Sequence, residues 1–107
     1  MNDPRTNLPI EKKFSNTISP IIEEVFKDFD QKGWPRPTLI LIGSQLVEPL
    51  EKEGVMSKIT KNADYVVFAD GALFGTYVMC NINVRIDPND ILILNSIGQT
   101  QIITVHN

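Results

Sequence analysis

The amino-acid sequence predicts an α+β fold, a small mixed and largely antiparallel sheet with two helices, and three observations predict it. First, Ile18, Ile21, Ile22, Val25, Phe26 and Phe29 recur at the spacing of one helix face. Second, the apolar period changes to two from Ala63 onward, as in half-buried strands. Third, residues 38–42 form a short unbroken apolar run of the kind found in a strand buried on both faces.

The chain has 107 residues, of which 42% are hydrophobic and 21% charged. That balance suits one globular domain and is too apolar for disorder. By surface scaling, about two-thirds of the chain's surface is buried on folding, which implies a modest core. Residues 1–17 mix Asp3, Pro4, Arg5, Asn7 and Pro9 with further charges without periodicity. They are expected to form a flexible N-terminal tail ahead of a single domain over residues 18–107.

The first helix is expected to begin at Ser19 as N-cap with Pro20 in the first turn, and to stop at Gly33. Trp34, Pro35, Arg36 and Pro37 then force an extended bend, because a proline disfavours the α region in the residue before it. Residues 38–42 follow as the central strand. Gly43 and Ser44 turn the chain into a second, shorter helix ending at Gly54, with Pro49 removing one backbone hydrogen bond. Residues 65–69 read as a strand and Asp70-Gly71 as a turn. Residues 76–86 alternate, with Val78, Cys80, Ile82, Val84 and Ile86 on one face and Tyr77, Met79, Asn81, Asn83 and Arg85 on the other. After the turn at 87–90, strands are expected over 91–94 and 100–105, separated by a turn at 96–99.

The net charge is −3, and its distribution is uneven. Residues 1–37 hold six positive and six negative side chains and residues 38–62 three of each, whereas residues 63–107 set Arg85 against Asp64, Asp70, Asp87 and Asp90. A nucleic-acid binder needs clustered Lys or Arg to neutralise phosphates, and the sequence has no such cluster. Cys80 is the only cysteine, which excludes an internal disulfide and fits a reducing, cytoplasmic setting. No apolar run approaches the length of a membrane-spanning helix, and residues 1–13 have no apolar leader core, so neither membrane insertion nor export is expected.

The residues that could carry chemistry have simpler structural uses. Free amides after Gly43 and Ser44 could hold an anion, but a Walker lysine and a second glycine at fingerprint spacing are missing, and Ser44 serves as a helix cap. Ser44, His106 and an aspartate could make a hydrolase triad only if the penultimate residue were rigidly held. Asp87, Asn89 and Asp90 begin like a calcium loop, yet Leu92 and Gly98 occupy the positions that require glycine and glutamate. Cys80 reads as a small core hydrophobe and Trp34 as a packing residue. The chain is therefore expected to be no enzyme, to hold no metal and to need no cofactor.

The C-terminal part stands out, because from Ile91 to Asn107 there is no Asp, Glu, Lys or Arg. Soluble sheets usually guard their edges with lysine, proline or inward charges. Either the helices or the N-terminal tail cover these strands, or another copy or a protein partner does. The second alternative makes Tyr77, Met79, Asn81, Asn83 and Arg85, together with Ile91 and Ile93, the candidate interface, since interfaces favour aromatic residues, Met and Arg.

The order of elements carries a resemblance. A helix, a Trp/Pro bend, the strand Leu39-Ile40-Leu41-Ile42, a short helix from Gln45, the segment Leu73-Phe74-Gly75 leading to Val78, and the strand Ile91-Leu92-Ile93-Leu94 after a polar turn resemble the axial domain of HK97-type capsid proteins. The chain is similar in particular to truncated, axial-domain-only relatives of encapsulins, with Tyr77 where that family usually has proline. The resemblance spans about residues 18–105, without the family's N-terminal arm, extended loop and spine helix. It implies a domain that meets its neighbours around symmetry axes and has no catalytic residues. The expected function is thus a self-assembling or docking domain, with itself or a protein as partner. The alternative is a monomeric inhibitor or immunity-type protein that turns the acidic C-terminal half toward one basic target.

Overall fold

The computed structural model describes residues 9–13, 17–54, 57–61, 65–69, 77–81 and 83–106. The elements run β1 (Ile10–Lys13), α1 (Ser19–Gln31), β2 (Pro37–Ile42), a 3₁₀ turn (Ser44–Leu46) continuing into α2 (Val47–Glu53), β3 (Ser57–Lys61), β4 (Tyr65–Ala69), β5 (Tyr77–Asn81), β6 (Asp90–Asn95) and β7 (Thr100–His106). The seven strands form one mixed sheet in the order β1-β7-β6-β2-β5-β4-β3. Only β1 with β7 and β2 with β5 pair in parallel. The α+β class and the central place of residues 39–42 follow the sequence reading.

Both helices lie on one side of this sheet. Ile18, Ile21, Ile22, Val25 and Phe29 of the α1 region and Leu46 and Leu50 of the second helical segment share one buried cluster with Ile40, Ile42, Phe68, Val78, Ile91, Ile93, Ile103 and Val105. The α1 residues are those its 3.6-residue spacing selects. Gly33, at φ +70°, ends the helix as expected, and Trp34 returns its N–H to the Phe29 carbonyl. The Trp34 ring then meets Phe29 edge to face at 5.1 Å, with the Lys32 ammonium 4.6 Å above it, so Trp34 packs.

Several local expectations are corrected. Ser19 does not cap α1, because its hydroxyl is buried and has no hydrogen-bond partner. The carboxylate of Glu53, at the end of α2, accepts the Ile18 N–H at 2.8 Å and the Ser19 N–H at 3.0 Å instead. A charged acceptor at the positive end of a helix dipole ties α1 to α2 across more than thirty residues. Glu53→Ala is expected to cost about 2 kcal/mol by leaving two amides unpaired, whereas Ser19→Ala is expected to cost nothing, because it removes an unpaired buried hydroxyl. Urea unfolding of the two variants checks this, and equal losses would return the cap to Ser19. Pro49 is the third residue of α2, within the first turn, where proline is tolerated better than in a helix interior.

Residues 10–13, expected within a tail, form β1 and pair with β7 from Ile10↔Ile103 to Lys13↔His106. β3 is a strand the period analysis passed over. The strand expected over 76–86 stops at Asn81, whose side-chain oxygen accepts the Asn83 N–H at 2.8 Å while its carbonyl accepts the Val84 N–H. That local turn takes Asn83 and Arg85 out of the sheet. The segment Leu73-Phe74-Gly75 and the residues Asp70, Gly71 and Ile82 lie outside the described residues.

Candidate functional site: the helix-free face of the sheet

Alternation along the strands sends every second side chain away from the helices. On that second face the strand pairings line up one row, Val67 beside Met79, Met79 beside Leu41, Leu41 beside Leu92 and Leu92 beside Ile102. The row crosses five strands without a polar side chain. A second row holds Leu39 beside Leu94 and Leu94 beside Thr100, with Tyr77 next to Ala69 on β5. Thr100 and the Tyr77 hydroxyl already make that second row partly polar, and the third is more so, pairing Tyr65 with Asn81 and Asp90 with Thr104. Leu41 and Val67, near the middle, are 7% and 8% exposed, their neighbours are half-buried, and Tyr77 is 57% exposed. Neither helix reaches this side, since both belong to the cluster on the other.

Charge is arranged around this surface. In the five inner strands the only Asp, Glu, Lys or Arg is Asp90, while the edge strands carry Glu11, Lys12 and Lys13 in β1 and Lys58 and Lys61 in β3. Charged edge strands discourage edge-to-edge pairing with other chains. The parallel β1 also occupies the free side of β7, so the C-terminal hairpin is not the undefended edge it promises to be in the sequence. Of the two alternatives left open there, the N-terminal segment covers that edge, and the apolar surface that remains is a face.

The expected interface residues divide accordingly. Tyr77, Met79 and Asn81 lie on β5 and point to the helix-free side, opposite Val78 and Cys80. Asn83 and Arg85 are exposed in the turn that follows. Ile91 and Ile93 are fully buried under the helices, so they are core residues and cannot meet a partner; Leu92 and Leu94 occupy the face in their place. The reading missed this because Ile91-Leu92-Ile93-Leu94 is apolar at every position, and nothing in the run marks which parity faces inward.

The other candidate chemistries are not assembled. The Gly43 N–H donates to the Asp90 carbonyl at 2.9 Å and the Gln45 N–H to the Pro88 carbonyl at 3.0 Å, so the amides proposed for an anion hold the neighbouring loop. Gly43 rather than Ser44 is the cap position there, and Ser44 makes no capping bond. His106 meets Glu11 at 3.2 Å and no hydroxyl among the described residues. Asp87 accepts the Asp90 N–H through its backbone carbonyl in a plain turn. No group of three or more His, Cys, Asp or Glu side chains able to hold a metal occurs among the described residues. A groove of about 420 Å³ between α1 and β1 has Ile10, Ile21, Val25 and Ile103 as its floor, and its rim charges Lys12 and Glu24 pair with each other at 3.1 Å.

Cys80 packs partly buried against the core, and burial pushes its thiol up from the usual range. A thiol that resists ionisation is a poor nucleophile. Labelling of Cys80 by an aromatic disulfide at pH 8 is therefore expected to be at least about 10-fold slower in the native protein than in urea. Equal rates would show that the β5 strand opens readily.

No helix among the described residues is long and apolar enough to cross a membrane. The chain matches no family model, no curated protein and no solved structure.

Proposed function

We propose that this chain is a non-enzymatic docking domain that assembles with protein, itself included, through the helix-free face of its sheet. The observation that carries the reading is the continuous apolar row from Val67 to Ile102 with charge withdrawn to the edge strands. An apolar sheet face that neither helix packs against, half-buried at Met79, Leu92 and Ile102 and open at Tyr77, supports an interaction site, because apolar surface left in water forgoes the energy of burying it. The resemblance to the axial domains of HK97-type and encapsulin shell proteins points the same way, toward a module that meets neighbours and leaves chemistry to others. A cytoplasmic setting suits the lone, partly buried Cys80.

The reading is tested with an apolar fluorescent dye at low protein concentration. The native wild type is expected to bind it, and Leu92→Lys to lose most of the signal while keeping its far-ultraviolet spectrum. Failure of the folded wild type to bind the dye would remove the docking face.

A further inference from the structure

We infer that β1 is a detachable strap, which lifts off β7 as a unit while the rest of the domain stays folded and thereby uncovers the β7 edge. This edge is separate from the helix-free face. β1 is four residues long and none of them is fully buried: Ile10 and Lys12 are half-buried, Glu11 and Lys13 exposed. Ile10 is the β1 side chain that packs against the core cluster. On the helix side, the groove of about 420 Å³ separates β1 from α1, and the Lys12 ammonium crosses to Glu24. On the other side, His106 reaches Glu11 at 3.2 Å. Both pairs are solvent-exposed, where ion pairs contribute little. What holds β1 is therefore a short parallel ladder and the apolar contact of Ile10, and segments with so few buried contacts open at a low free-energy cost.

β7 does not depend on β1 in the same way. Ile103 is fully buried and Val105 nearly so, both within the core cluster, and β6 pairs with β7 from Asp90↔Thr104 to Leu94↔Thr100. With β1 lifted, β7 keeps its place and turns a row of free N–H and C=O groups outward. Its residues 100–106 include no Asp, Glu, Lys or Arg. Other strands add to uncharged edges of this kind, whereas the docked β1 ends the sheet in Glu11, Lys12 and Lys13. The strap decides whether the sheet ends in a guarded or a receptive strand.

Native-state hydrogen exchange of the full chain in rising urea tests this. Val105 gives its N–H to Asn89 on the β6 side, and a strand alternates its hydrogen-bonding direction. Thr104 therefore turns its N–H toward β1, while Ile103 and Val105 turn theirs toward β6. Thr104 is expected to exchange at least about 10-fold faster than both neighbours, at a rate that hardly responds to urea below the unfolding transition, because lifting one strand exposes little surface. Exchange at Ile103 and Val105 is expected to rise steeply with urea, as global unfolding requires. Ile10→Ala, which weakens the apolar contact of β1, is expected to accelerate Thr104 about 10-fold further while the far-ultraviolet spectrum keeps its shape. Exchange of Thr104 in step with Ile103 and Val105 at every urea concentration overturns the inference, since β1 would then leave only when the whole domain unfolds. A Thr104 that exchanges as fast as a free peptide also overturns it, because no strap would be docked. So does a Thr104 rate indifferent to Ile10→Ala, which would place the opening elsewhere than β1.

Discussion

Ile93→Lys is expected to abolish the native state, whereas Leu92→Lys, one residue earlier on the same strand, is expected to leave it nearly intact. Ile93 is fully buried in the cluster under α1, and a lysine there must either bury its charge or give up its proton. Losing the isoleucine packing and adding that desolvation costs more than about 5 kcal/mol, comparable with the whole stability of a small domain. Leu92 is half-buried on the helix-free face, where a lysine stem can lie along its neighbours and hold the ammonium in water. A cost of about 1 kcal/mol is expected there, within the ordinary range of single substitutions. Urea unfolding followed by circular dichroism measures both. Equal, severe losses would mean that the second face is as fully covered as the first.

That contrast also shows where the sequence stops being legible. The face of α1 could be read because polar Glu23, Glu24, Lys27 and Asp28 separate the apolar positions, so only one stripe can be buried. The central strand could be read because apolar residues fill residues 39–42, which only burial on both faces explains. The same property hid the parity of β6, whose four apolar residues fit either orientation until its register with β2 and β7 is known. β1 and β3 were illegible for another reason. Ile10–Lys13 and Ser57–Lys61 are short, charge-rich edge strands that take their conformation from pairing with a neighbour. In β1's case that neighbour is some ninety residues away, beyond the reach of a local pattern. The Glu53 cap is illegible in the same way, since a glutamate at the end of one helix gives no sign that it serves the start of another. Of the candidate face, β5 supplied the legible part, Tyr77 and Met79. The remainder depends on which strands are neighbours, a property of the sheet that no single segment contains.

Gly43→Ala is the substitution expected to do the most damage for the fewest atoms. Gly43 has φ −71° and ψ 162°, an extended conformation open to any residue, so its backbone gives no reason for glycine. The reason is contact. A Cβ at this position would fall onto the carbonyl oxygens of Asp87 and Pro88, backbone atoms that cannot rotate out of the way. The loop carrying them is held by the bonds from Gly43 N–H to Asp90 and from Gln45 N–H to Pro88, and by that from Val105 N–H to Asn89. Moving the loop to admit one methyl group therefore strains or breaks three bonds that join the ends of β2, β6 and β7. A loss of about 3 kcal/mol is expected, above the typical single-substitution effect and in the range of overpacking combined with broken hydrogen bonds. The effect should also be local in origin: hydrogen exchange at Gln45 and Val105 is expected to accelerate more than exchange in the β4–β5 ladder. Uniform acceleration would indicate a general loss of stability without loop displacement, and a loss below about 1 kcal/mol would mean that the loop yields cheaply. Because this loop closes the end of the sheet and leaves the helix-free face untouched, the Gly43→Ala protein that remains folded is expected to retain the dye binding and association of the wild type. Stability and docking thus separate onto different residues, Gly43 on one side and Leu92 on the other.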